Sequence, residues 1–223
     1  MGENQPEGME EFFDLRAETY DSHMFKNVNN FREFYQAVAR PVKPTGNNIK
    51  ILDLGCGTGL ELAAIFSRAP QAKITAVDLS EKMLNNLLEK YQQQRSRIEI
   101  RQASYLTVPF EEEHYHYAIS VMTLHHLTEA EKIKLYKKIA RALKPGGKYV
   151  EGDYIALSQK EEKSFLIERR QRLKEVDKEE SGLYHIDIPF TLEKQKEILT
   201  QAGFRNFHVI YQAGENAVYR AEV

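Results

Sequence analysis

One cysteine in 223 residues, Cys56, leaves no internal disulfide to form and fits a reducing compartment. Neither sign of charge is in excess. The 31 basic and 33 acidic side chains give a net charge of −2, so the chain as a whole has no electrostatic footprint for nucleic acid, although that balance leaves room for a local patch. No run of about 18 apolar residues occurs, so no membrane span is expected. The opening MGENQPEGMEEFFDL is acidic and polar, unlike a secretory leader. There is no internal repeat and no low-complexity tract. The expectation is a soluble cytoplasmic protein in which 1–223 forms a single domain with one large core.

What the chain does have is alternation. Residues 9–20 and 29–40 read as helices, the second with Phe31, Phe34, Tyr35 and Val38 on one face, a core stripe rather than an aromatic box. Pro41, Pro44 and Gly46 then break the chain before a first strand that contains IKIL. KITAVDL, IEIRQA (98–103), HYAISVM (116–122) and KYVEGDY (148–154) read as further strands separated by helical runs. Ser80 is placed to cap a helix carrying Met83, Leu84, Leu87, Leu88 and Tyr91. Thr128 and Glu131 form a capping box ahead of Ile133, Tyr136, Ile139, Ala140 and Leu143, and KPGG (144–147) reads as a turn. Residues 158–180 hold 14 charged side chains in 23 and read as a solvated helix. Thr191 starts a helix that Gly203 ends, and FRNFHVIYQ and NAVYRAEV follow as strands that can pair antiparallel. The pattern is an α/β, Rossmann-like doubly wound and mostly parallel sheet. N-terminal helices (1–46) cap it, and a helical insertion (155–190) follows the fifth strand.

The stretch DLGCGTG, residues 53–59, leaves the first strand and enters a helix. In such sheets ligands sit beyond the carboxyl ends of the strands. Glycines there let backbone N–H groups approach a ligand, beside a helix N-terminus. Asp78, ending the next strand 19 residues beyond Gly59, suits a pair of ribose hydroxyls. The ligand is therefore a dinucleotide or another adenosine compound. The spacing is G-x-G-x-G, with Leu60 where a dinucleotide loop has its third glycine, and Asp53 at the loop's mouth repels a pyrophosphate but suits an ammonium. Both features favour S-adenosylmethionine over a dinucleotide.

ILDLGCGTG, AVDLS, AISVMTLHHL and LKPGGKYVEGD resemble, in order and spacing, the motifs of class I S-adenosylmethionine-dependent methyltransferases. The style is that of the small stand-alone ubiquinone/menaquinone-biosynthesis enzymes, and the match covers roughly residues 49–155. The resemblance implies a seven-stranded sheet whose last strand is antiparallel. It also implies cofactor contacts at Asp53, Gly55, Cys56, Gly57 and Gly59, at Asp78 on the ribose, and at Leu79 and Met83 on the adenine. Val121, Ala103 and Ser104 complete the set, Ala103 standing where the family often carries an acidic residue. Tyr20 matches a tyrosine that closes over the cofactor. His116 stands where an aspartate commonly opens the fourth strand.

The sulfonium carries its own activation, so the protein supplies alignment for an in-line displacement. His125 and Asp153, after the fourth and fifth strands, are the candidates for a general base. Tyr20, His23 and Met24 are expected as a lid, and Tyr184 and His185 as further wall. No metal is expected: adjacent His125 and His126 face one site only on a bent backbone, and no carboxylate–histidine ligand spacing surrounds them. Cys56 has no base beside it and reads as a small buried residue. Signatures that the superfamily uses for nucleic-acid amino groups, pyrimidine C5, arginine and magnesium-assisted catechol methylation are absent around SVMTL. A small-molecule acceptor remains. The alternatives are a tRNA or other RNA nucleoside, given Arg169, Arg170, Arg172 and Lys174, a cofactor-binding protein without transferase activity, a nucleotide-linked oxidoreductase, and an interaction module. A monomer and a homodimer are equally compatible with the sequence.

Overall fold

A computed structural model describes residues 8–175 and 184–223. Five strands, β1 (Lys50–Leu54), β2 (Lys73–Asp78), β3 (Ile98–Gln102), β4 (Tyr115–Val121) and β5 (Leu143–Tyr154), run parallel. β6 (Arg205–Ala213) and β7 (Asn216–Glu222) form the C-terminal hairpin, with β7 lying antiparallel between β5 and β6. The order is β3-β2-β1-β4-β5-β7-β6. The chain therefore reverses direction across the sheet between β1 and β4, where a crevice opens at the carboxyl ends of the strands.

The strands are apolar because both faces are covered. Ile51, Ile74 and Ile119 point into one core with Phe34, Leu62, Ile65 and Leu87. Their neighbours Leu52, Leu54 and Ala118 point into the other, with Leu135, Tyr136, Ile198 and Leu199. Accordingly α3 (Phe31–Ala39), α4 (Leu62–Arg68) and α5 (Glu81–Lys90) cover one face, and α6 (Glu129–Ala142) and α8 (Leu192–Gln201) the other. Phe34, Tyr35 and Val38 are buried and Phe31 packs on them, as a core stripe should.

Local readings shift in four places. The single helix expected over 9–20 is two, α1 (Met9–Arg16) and α2 (Tyr20–Asn27), so Tyr20 opens a helix instead of closing one. KPGG lies within β5, where Gly146 at φ +74° and a register shift opposite Tyr115 and Tyr117 replace a free-standing turn. The buried residues of α6 are Lys132, Leu135, Tyr136, Ile139 and Ala142, so the expected Tyr136 and Ile139 are joined by an unexpected lysine, while Ile133 and Ala140 are half-buried against the same core. Glu151 on β5 is the cause. It is fully buried and takes hydrogen bonds from Lys132, Tyr136, Tyr149 and Gln195, and a buried carboxylate needs such partners. The charged helix is α7 (Gln159–Glu175), with Arg169 and Leu173 buried; the expected continuation over 176–180 lies outside the described residues.

The capping box at α6 is formed as expected. Thr128 Oγ1 accepts from the Glu131 N–H, and the Glu131 carboxylate accepts from the Thr128 N–H at 2.8 Å. Thr128→Ala should therefore lower stability by about 1 kcal/mol in urea unfolding, with an unchanged denaturant slope.

Candidate functional site

The glycine loop is shaped by what surrounds it. Gly55 sits at φ +64°, and a Cβ there would lie 2.3 Å from Thr123 Oγ1, so this glycine lets the end of β1 close on the segment after β4. Gly57, at φ +49°, is open apart from the Tyr20 ring 3.8 Å from where a Cβ would stand. Its N–H donates to Asp78 Oδ2 at 2.8 Å, and the Ser80 N–H donates to Oδ1 at 2.9 Å. Burial raises the Asp78 pKa, and those two backbone donors offset part of the rise. The carboxylate, with roughly four lone-pair sites, still has capacity for a ligand.

A cavity of about 40 Å³ lies against this loop, bounded by Tyr20, Gly55, Gly57, Asp78, Leu79, Met83 and Ser104 among the residues expected there. Asp53, Cys56, Gly59, Ala103 and Val121 do not line it. Asp53 and Cys56 are buried, Ser104 stands in place of Ala103, and Met122 and Thr123 stand in place of Val121. Met122 has φ +51° and donates its N–H to Gly152 O at 2.8 Å, which kinks the chain inward just past β4. Sequence spacing carries no sign of that kink, nor of Met9, Phe13 and Tyr105, which complete the wall.

α1 and α2 form the roof. Asp14 accepts from Ser80 Oγ at 2.5 Å, and Asp21 accepts from Thr58 Oγ1 and pairs with Lys90. Asn86 Nδ2 donates to Ala17 O at 2.9 Å. Tyr20 is held as the neutral phenol, foremost by burial and then by the Glu61 and Asp78 charges.

A second cavity, about 420 Å³, adjoins the first and shares Phe13, Tyr20 and Met122 with it. Here the structure corrects the sequence reading. A 3₁₀ turn, Leu124–His126, follows the Met122 kink and supplies the bent backbone that lets both histidines face one site. Their ring centroids are 3.9 Å apart. Asp187, half-exposed, brings Oδ1 to 3.1 Å from His126 Nδ1 and 3.6 Å from His125 Nε2. These three side chains have the mutual spacing of a cation-ligand set, which no motif spacing announced because Asp187 arrives from the insertion. His185, expected as wall, stacks on Phe12 at 3.5 Å and lies 4.6 Å from the His126 ring. His23 and Met24 also line this space, whereas Tyr184 bridges to Gly8.

Asp153 is fully buried behind His125. Its Oδ1 lies 2.5 Å from His125 Nδ1, and its Oδ2 accepts from the N–H groups of Leu124 and His125 at 3.0 Å. Burial alone would lower the His125 pKa, but the Asp153 carboxylate, helped by Asp187, outweighs it and holds the imidazole above its ordinary value. Burial would raise the Asp153 carboxyl, and the His125 charge holds it down. His126 is lowered by burial and by His125, and His185 falls to about 3 by burial and the His126 charge. The arrangement is an imidazole fixed through Nδ1 by a buried carboxylate, with Nε2 turned toward an open cavity.

Residues 51–147 match a family model described as a methyltransferase domain. The chain is 28% identical over 195 residues to a carboxy-S-adenosyl-L-methionine synthase of Shewanella piezotolerans, covering 83% of this chain and 78% of that protein. Its structure resembles phosphoethanolamine N-methyltransferase 2 of Haemonchus contortus, solved with phosphomonomethylethanolamine and S-adenosylhomocysteine, at 26% identity and a TM-score of 0.60, over 79% of this chain and 38% of that one. Human N-acetylserotonin methyltransferase, solved with S-adenosylmethionine, has the same fold at 18% identity and a TM-score of 0.63, over 95% of this chain and 54% of that one. The chain thus spans about half the length of these two structures or less. Among the described residues no helix is long and apolar enough to cross a membrane.

Proposed function

The chain belongs to the class I S-adenosylmethionine-dependent methyltransferases, and from that premise we propose that it methylates a small molecule held in the cavity beside His125. The observation that carries this is the shared wall: Phe13, Tyr20 and Met122 bound both the cavity at the glycine loop and the larger one at the histidines. A donor in the first and an acceptor in the second would meet across that wall, and such alignment supplies most of the acceleration in a displacement. The residues fit the cofactor. Both Asp53 oxygens are buried with no donor among the described residues and suit an ammonium, and Asp78 has lone pairs left for ribose hydroxyls. Leu79 and Met83 offer an apolar surface to a base.

When bound, the sulfonium supplies a methyl group that is electrophilic without a metal or a covalent intermediate. The protein's task is then to exclude water, align the acceptor and take its proton. Phe12, Phe13, Tyr20 and Tyr154 give the acceptor cavity aromatic walls suited to a ring compound. His125 Nε2 is the proton acceptor, and Asp153 fixes its tautomer. RNA is less well supported, since the basic stretch of α7 is not one open face: Arg169 is buried and Arg172 pairs with Glu168 at 2.7 Å.

The test is a screen of metabolite pools and tRNA with labelled cofactor, the spent cofactor being identified by mass. S-adenosylhomocysteine is the expected product, whereas a carboxylated cofactor would place the chain with its Shewanella relative instead. Chelation with EDTA should leave turnover unchanged. A loss restored by a divalent ion would reassign His125, His126 and Asp187 to metal binding.

A further inference from the structure

Two buried carboxyl groups flank the glycine loop and pair with each other. Asp53, in β1 two residues before Gly55, is 1% exposed, and Glu61, two residues after Gly59 at the head of α4, is 3% exposed. Among the described residues, and apart from the pair itself, no donor reaches either oxygen of Asp53 or Oε1 of Glu61. Like charges buried together expel one another's ionisation, so such a pair retains a proton. Burial, reinforced by Glu61, raises the Asp53 pKa well above the carboxylate range, and burial takes Glu61 to about 7.

The surroundings do not supply the missing positive charge. The groups acting on the pair are Tyr20 and Asp21 from α2, Tyr35 from α3, Cys56, Asp78, and Lys90 and Tyr91 at the end of α5. Lys90 is the one cation among them, and it is engaged with Asp21 at 2.5 Å. Tyr91 donates its hydroxyl to Gly59 O at 2.7 Å. The site is a buried, donor-poor acid pair behind a loop whose backbone bounds the cofactor cavity, with Tyr20 over it.

We propose that Asp53 and Glu61 together form the cofactor's ammonium site, and that the ammonium displaces the proton the pair shares in the free protein. This makes Glu61 a cofactor-binding residue, and it rests on the cofactor reading above. The balance is simple. The free protein enters with one shared proton, the ammonium donates its own N–H groups to the two carboxylates, and the shared proton leaves to solvent. No covalent bond is made or broken. Affinity should therefore rise with pH through the range in which the free pair still holds that proton.

The experiment is titration calorimetry at pH 6 in two buffers of different ionisation enthalpy. The ligands are S-adenosylmethionine and 5′-methylthioadenosine, which has the nucleoside and the sulfur but no amino acid. The expected result is net proton release with the first ligand and none with the second. In Glu61→Gln the release should vanish and S-adenosylmethionine should bind about ten- to a hundredfold more weakly, the loss of a charged hydrogen bond, while methylthioadenosine stays within about threefold. Equal proton release by both ligands, or equal weakening of both, would overturn the assignment and leave Glu61 a structural residue. Failure of the parent protein to bind either ligand would overturn the cofactor reading itself.

Discussion

In an Asp78→Ala variant, saturating S-adenosylmethionine should leave the melting temperature almost where it was. At a hundredfold excess over Kd, a ligand selective for the folded state contributes about 2.7 kcal/mol. Removing a carboxylate that accepts from two hydroxyls should weaken binding by at least about a hundredfold, since hydrogen bonds to a charged group contribute about 1.5–3 kcal/mol each. The same ligand concentration then contributes about 0.4 kcal/mol. The variant also leaves the Gly57 and Ser80 N–H groups without the acceptor they now have, so the unliganded protein will itself melt lower. The readout is therefore the ligand-induced shift within each protein, by scanning calorimetry. NAD should shift neither protein. An Asp78→Ala shift equal to the parent's would remove the ribose assignment.

His125→Ala should cost about 10²–10⁴ in kcat, the usual contribution of a positioned base, with little change in the cofactor's Kd. The pH profile carries the sharper test. His125 accepts a proton only when neutral, and Asp153 holds its pKa above the ordinary histidine value. Activity should therefore rise with pH through a limb displaced upward from about 6.5. Asp153→Asn removes the charge that keeps the limb high, so burial then dominates and the limb moves to lower pH. Its amide also favours the tautomer that leaves a proton on Nε2, so kcat falls as well. A merely structural Asp153 would lower stability and leave the limb in place.

The sheet was legible because strands buried on both faces read as short apolar runs between helical periods, as ILDL and AISV do. The helix stripes were less so. Lys132 lies inward on α6 only because Glu151, distant in sequence, takes it as a partner, and no periodicity records such a pair. The same division holds at the site. Asp78 and the glycines are local to one βαβ unit, and the structure sets most of them around one cavity. Glu61 carries no distinguishing signal in the sequence, since an acid at the head of a helix has an ordinary explanation in the helix dipole. Asp187 comes from the far end of the insertion, and the His125–His126 convergence depends on a positive φ at Met122, a residue type that gives no hint of it.

The roof has a consequence for access to both cavities. Ligand sites generally need about 300–1,000 Å³, and the free space beside the glycine loop is about 40 Å³. Seating a cofactor there would move α1 and α2 outward and release Asp14 from Ser80 and Asp21 from Thr58 and Lys90. The turn at 17–19 separates the two helices, and the left-handed Asn30 (φ 52°) follows α2. Because residues of both helices also wall the second cavity, an outward swing of this roof would uncover the two cavities together.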